Sequence, residues 1–143
     1  MPTLIVLTGP TASGKTVAAL QVAEHFHAPI LNADSRQIYR DIPIGTAAPT
    51  AEEQARVPHY FVGTLALDDY YSAARYEAEV MALLPRLFAE RDVVVMSGGS
   101  MMYIDAVCNG IDDIPTISEE MRTMMRTRYE QEGLEPLLAE LRL

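Results

Sequence analysis

Cysteine is nearly absent: Cys108 is the only one among 143 residues. An internal disulfide is therefore excluded, and a zinc knuckle lacks its second thiol. Positive charge is scarce too, with 11 Lys and Arg against 20 Asp and Glu and a net charge of −9. A face that grips nucleic-acid phosphates wants the opposite balance, so the global charge speaks against such a partner. Arg122, Arg126 and Arg128 nevertheless gather toward the C-terminal end, so the sum hides an uneven distribution. The opening MPTLIVLTG has no basic leader region and no cleavage site, and its apolar run is far too short to span a bilayer. A cytoplasmic protein with no membrane contact is expected. Internal repeats, low-complexity tracts and Gly/Ser linkers are missing as well. What is present is apolar content: 49% of the chain is hydrophobic, enough for one ordinary domain with a real core rather than a disordered segment.

Short apolar runs alternate with stretches of helical spacing. TLIVLTG, residues 3–9, is a continuous apolar run closed by Gly9, the pattern of a strand buried on both faces. KTVAALQVAEHF, residues 15–26, places Val17, Leu20, Val22 and Ala23 as a helix does. APILNADS supplies a second strand that ends in polar residues. Pro43, Pro49 and Pro58 make residues 41–60 mostly loop, with room for one short helix from Thr50. YFVGTL, residues 60–65, reads as a third and weaker strand.

Ser72 then caps a helix whose apolar face is Tyr76, Val80, Leu83, Leu84 and Leu87. Pro85 inside it is expected to kink or split that helix. VVVMSGGS, residues 93–100, is a further buried strand ended by a glycine pair. MMYIDAVCNG is a short helix closed by Gly110. Ser118 caps another that stops at Gly133, and EPLLAELRL starts a last one. Strands alternating with helices mean an α/β domain with a parallel sheet. The helix still in progress at Leu143 makes the chain read as cut short.

GPTASGKT, residues 9–16, satisfies G-x-x-x-x-G-K-[ST] between a predicted strand and a predicted helix, the context this motif requires. Gly9 and Gly14 let backbone N–H groups converge on phosphate oxygens at a helix N-terminus. Lys15 adds a point charge, and the Thr16 hydroxyl is placed to ligate Mg2+. Phosphates are expected to bind across Gly9, Pro10, Thr11, Ala12, Ser13, Gly14, Lys15 and Thr16.

The same loop, followed by NADSRQIYR, then IGTAAP, then SGGSMMYIDAVCNGI, resembles the tRNA dimethylallyltransferase family, in order through nearly all of the chain to about Pro115. That resemblance implies a P-loop, kinase-like core over residues 1–115. Residues 116–143 would begin a helical insertion that contacts tRNA. It implies transfer of a dimethylallyl group from dimethylallyl diphosphate to the exocyclic amine of the adenosine 3′ of the anticodon, in tRNAs that read codons starting with U. Diphosphate is then the leaving group, and the cradle stabilises the charge that develops as the carbon–oxygen bond breaks. Mg2+ on Thr16 assists by Lewis-acid neutralisation. No phosphoryl group moves, and Lys15, Thr16 and Asp34 carry the catalysis.

Asp34 follows the second strand, where doubly wound sheets put their chemistry. On the residues alone it is a base, a loop cap or an indirect magnesium contact. The resemblance makes it the group that accepts a hydrogen bond from the adenine amine and takes its proton during attack. An ordinary aspartate, with a pKa of roughly 3.9, is a weak base at neutral pH. Its work would be orientation, then uptake of a proton already acidified by bond formation. Ser35, Arg36 and Gln37 form a polar run that is a solvated loop or a reader of a base edge, glutamine being able to pair bidentately with adenine. The resemblance assigns Asp34, Ser35, Arg36 and Gln37 to tRNA contact, with the target adenine out of its stack.

Gly98, Gly99 and Ser100 make a small-residue turn that lets a ligand approach backbone, or simply a tight junction. The resemblance tips Ser100 toward tRNA, although the family more often has Thr there, and by spacing it does the same for Arg122. Thr46 faces the diphosphate or satisfies a loop carbonyl. His25, His27 and His59 do not pair into a metal site and have structural roles by default, and the eight methionines read as core filler.

The family chain is much longer, so residues 1–143 alone are expected to be nearly inactive as a monomeric fragment. Two further readings compete: a small-molecule P-loop kinase using ATP, and a non-catalytic nucleotide-binding module. An enzyme that prenylates free adenine nucleotides is a third, disfavoured by DSRQIYR and GGSMMY. Nothing in the sequence keeps ATP out of the cradle.

Overall fold

A computed structural model describes residues 1–112, 115, 117–142. They form two compact units, Met1–Ile111 and Asp112–Leu143. The first contains β1 (Thr3–Thr8), α1 (Lys15–Phe26), β2 (Ile30–Asn32), α2 (Ala51–Arg56), β3 (His59–Tyr60), α3 (Ala73–Glu90), β4 (Val93–Gly98) and α4 (Met101–Asn109). The four strands make one parallel sheet in the order β1-β4-β2-β3. A parallel sheet flanked by helices is the α/β fold the alternation of elements predicts.

Alternation along the strands builds a core on each face. Leu31, Val94 and Met96 point to one side, where Tyr76, Val80, Leu84 and Leu87 of α3 and Ile104 of α4 cover them. Ile30 and Val95 point to the other, against Ala19, Leu20 and Ala23 of α1. Burying each of the larger side chains contributes roughly 1.5–3 kcal/mol.

Several expectations are corrected. The apolar residues of β1 are only half-buried, because β1 pairs with β4 alone and lies at an edge of the sheet. Val17 is 60% exposed, and Ala19 takes its place on the buried face of α1. The third strand is His59–Tyr60, not residues 60–65. Phe61 and Gly63 both adopt positive φ and turn the chain out of the sheet, leaving only an isolated bridge from Leu65 to Tyr39.

Pro85 does not split α3, which runs unbroken over 18 residues. It sits on the exposed face, and the carbonyl it leaves without an amide partner belongs to Met81, itself 48% exposed, so water can satisfy it. Seven of the eight methionines are exposed and only Met96 is in the core, so methionine is not the core filler here.

The second unit holds α5 (Glu119–Glu132) and α6 (Leu134–Leu141), separated by Gly133 at positive φ. Arg128 of α5 reaches Glu140 of α6 at 2.7 Å and also pairs with Glu132 on its own helix, so this arginine is engaged by acids of its own unit. The expected boundary at 115–116 and the end of the last helix at Leu143 involve residues outside those described. Among the described residues no helix is long and apolar enough to cross a membrane.

Candidate functional site

The site lies where the strands end. β1 stops at Thr8, and the chain passes through residues 9–14 into α1. Ala12 and Gly14 take positive φ, 61° and 84°, the left-handed backbone that anion-binding loops use to turn N–H groups inward. At Gly14 glycine adopts it without penalty; Ala12 adopts it at a cost. The first turn of α1 has neither a capping side chain nor an acidic residue, so its N–H groups are open to an anion. Lys15 Nζ donates to the Pro10 carbonyl at 2.8 Å, folding the ammonium back over the loop.

A cavity of about 150 Å³ opens beside this loop. Thr11, Ala12, Lys15 and Thr16 form one wall, Asp34 and Gln37 a second, and Ser97, Gly98 and Gly99 a third. Three separated sequence motifs therefore meet in one space. Ser35 and Ser100, the next residue after two of these walls, are hydrogen-bonded to each other. Gly9 packs against Ser13 so closely that a Cβ there would lie 3.3 Å from its hydroxyl.

Asp34 satisfies two of its possible roles with different oxygens. Oδ1 accepts the backbone N–H groups of Arg36 at 2.9 Å and Gln37 at 3.3 Å, capping the turn. Among the described residues Oδ2 has no hydrogen-bond partner, which leaves it for a ligand. Behind the turn Tyr76 and Tyr103 stack at 4.6 Å. Burial chiefly, then the nearby Tyr39 and Asp34 charges, pushes the Tyr103 hydroxyl above the usual tyrosine range, so it stays neutral.

Gln37 is not free to read adenine bidentately. Its amide nitrogen donates to the Thr46 and Ala47 carbonyls at 3.0 and 3.1 Å, which uses both hydrogens and leaves only the side-chain oxygen. It straps the 42–49 loop over the cavity instead. Thr46 spends its hydroxyl on the Ile42 and Pro43 carbonyls, so the loop-carbonyl alternative describes it. Arg36 is exposed, and Arg122 lies on the exposed surface of α5 in the second unit.

His59 also lines the cavity. Its Nδ1 lies 2.7 Å from the Val57 carbonyl, which can only accept, so Nδ1 carries the proton and Nε2 remains for a ligand. No local signal marks it; only the pairing of His59 with Ile30 brings it there.

Among the described residues no three His, Cys, Asp or Glu side chains cluster as a metal cage. The Thr16 hydroxyl on this cavity suits Mg2+, which typically takes one or two protein oxygens and completes its shell with phosphate and water.

The family model for IPP transferase matches residues 37–143. A tRNA dimethylallyltransferase of Phocaeicola vulgatus is 65% identical over 141 residues, covering 99% of this chain and 47% of that protein. One from Bacteroides thetaiotaomicron is 63% identical, covering all of this chain and 46% of its own length. The crystal structure of a full-length tRNA isopentenylpyrophosphate transferase from Bacillus halodurans superposes with a TM-score of 0.76 at 27% identity, over 99% of this chain and 47% of that one. The chain thus spans about half the length of the curated relatives it matches.

Proposed function

The chain belongs to the IPP transferase family, and from that premise we propose that it carries the donor cradle and acceptor base of a tRNA dimethylallyltransferase. The observation that carries this reading is the meeting of the phosphate loop and the open Asp34 oxygen on one small cavity. At about 150 Å³ the cavity is below the roughly 300–1,000 Å³ usual for drug-sized ligands. A diphosphate head is the ligand proposed for it.

The residues divide the work as follows. Backbone N–H groups of the loop and the Lys15 ammonium hold the diphosphate of dimethylallyl diphosphate. As the bond from carbon to the bridging oxygen breaks, the electron pair stays with diphosphate, where these donors already stand. The adenine amine attacks that carbon, which makes the nitrogen cationic and its proton acidic. Asp34 Oδ2 orients the amine beforehand and takes this proton afterward, while Oδ1 remains fixed by the Arg36 and Gln37 amides. Thr16 would hold magnesium here, and the ion would supply Lewis-acid neutralisation of the leaving group's charge. Ser35, Arg36 and Arg122 are proposed to face tRNA. A monomer acting in the cytoplasm is part of the same proposal.

Mass analysis of tRNA nucleosides from cells deleted for this gene tests the reading. Prenylated adenosine should vanish, return with the gene, and stay absent with Asp34→Ala. Unchanged prenylated adenosine in the deletion strain would overturn it.

A further inference from the structure

The hydroxyl of Ser100 is in an unusual place for a helix cap. Ser100 is the N-cap of α4, yet it makes no side-chain capping bond. The other hydroxyl caps of this chain behave ordinarily: Thr50, Ser72 and Ser118 each accept the backbone N–H three residues on. Ser100 Oγ instead accepts the Ser35 N–H at 2.8 Å and shares a hydrogen bond with the Ser35 hydroxyl at 3.1 Å. α4 gives up a capping bond to tie down the residue next to Asp34.

This tie belongs to a set. The Ser100 N–H donates to the Ala33 carbonyl at 3.1 Å, and the Ala33 N–H to the Ser97 carbonyl at 2.8 Å. Ala33 and Ser35 flank Asp34, so the end of β4 grips the acid's backbone on both sides. The side chain is then aimed by Oδ1 alone. The one link in this set that a side chain supplies is Ser100.

We infer that Ser100 is a positioning residue for prenyl transfer: its hydroxyl fixes the Asp34–Ser35 turn and thereby the direction of Asp34 Oδ2. The inference rests on the function proposed above. Losing the tie lets the turn drift, and a carboxylate displaced by a fraction of an ångström from the amine loses rate more than affinity. Threonine keeps the hydroxyl and should serve equally.

The test uses the protein purified as its gene encodes it, with dimethylallyl diphosphate and unmodified tRNA. Ser100→Ala should lower kcat on the order of tenfold, leave both KM values within about twofold, and speed amide hydrogen exchange at Ser35. Ser100→Thr should restore the rate and the Ser35 protection. Either a raised KM for tRNA at unchanged kcat or unaltered Ser35 exchange would overturn the inference, the first by placing Ser100 against RNA. Failure of the underlying function looks different: the unsubstituted protein would then transfer no prenyl group at all.

Discussion

A methyl group at position 98 would have no room. A Cβ built on Gly98 overlaps the carbonyl of Ala33 and comes within 2.8 Å of its Cα. Overpacking a core usually costs about 1–3 kcal/mol, when neighbouring side chains can give way. Here the obstacle is backbone, held by the Ala33 to Ser97 and Ser100 to Ala33 hydrogen bonds, so Gly98→Ala should cost about 3 kcal/mol. For a chain of this size that lowers the melting temperature by about 10 °C. Gly99→Ala is the control, since its Cβ would lie 3.9 Å from the Gly9 carbonyl, an ordinary contact. It should stay within about 0.5 kcal/mol of the parent. Circular dichroism during thermal and urea unfolding measures both. A Gly98→Ala protein that unfolds with the parent would refute the close approach of β2 and β4 from which Asp34 is hung.

Four further outcomes are expected. Lys15→Ala should weaken binding of inorganic pyrophosphate by roughly 10- to 100-fold, from the loss of a charge-assisted bond, as titration calorimetry would show; an unchanged Kd would remove Lys15 from the cradle. Gln37→Ala should cost about 1 kcal/mol and speed proteolysis within residues 42–49, because the strap to Thr46 and Ala47 is gone; an uncut loop would show the strap idle. Burial pushes the Tyr76 hydroxyl above its usual range; its stabilising effect is complete below the unfolded value of roughly 10 and is lost as pH rises from there toward the folded value. Tyr76→Phe should therefore flatten the alkaline loss of stability by about 1.4 kcal/mol per pH unit, whereas equal slopes in urea melts would contradict that burial. Ser72→Ala should destabilise α3 by about 1 kcal/mol, read as a shift in urea midpoint, and no shift would mean that its 3.2 Å bond to the Arg75 amide is idle.

Much of this molecule was legible in its sequence where local rules decide. The glycine loop announced its own conformation, because Gly14 opens a helix directly after a strand. Asp34 could be placed at a strand end from ILNA alone, and the helix caps at Ser72 and Ser118 follow from a hydroxyl residue standing just before a helical stretch. Tertiary features were not legible. That β1 is an edge depends on sheet order, which no local pattern carries. Phe61 at positive φ is a bulky residue in a conformation that sequence rules assign to glycine, so the short third strand was read too long. His59 entered the cavity through a pairing between distant residues. The bonds of the Gln37 amide to the Thr46 and Ala47 carbonyls, nine and ten residues on, likewise follow from no local pattern.

Under the proposed function the cradle releases diphosphate and keeps it whole. Dimethylallyl diphosphate labelled with 14C in the prenyl group and 32P in the terminal phosphate, incubated with the purified gene product and unmodified tRNA, tests it directly. The expected result is 14C in tRNA adenosine and all 32P in free pyrophosphate. Transfer of 32P to an acceptor, with the prenyl ester intact, would contradict it.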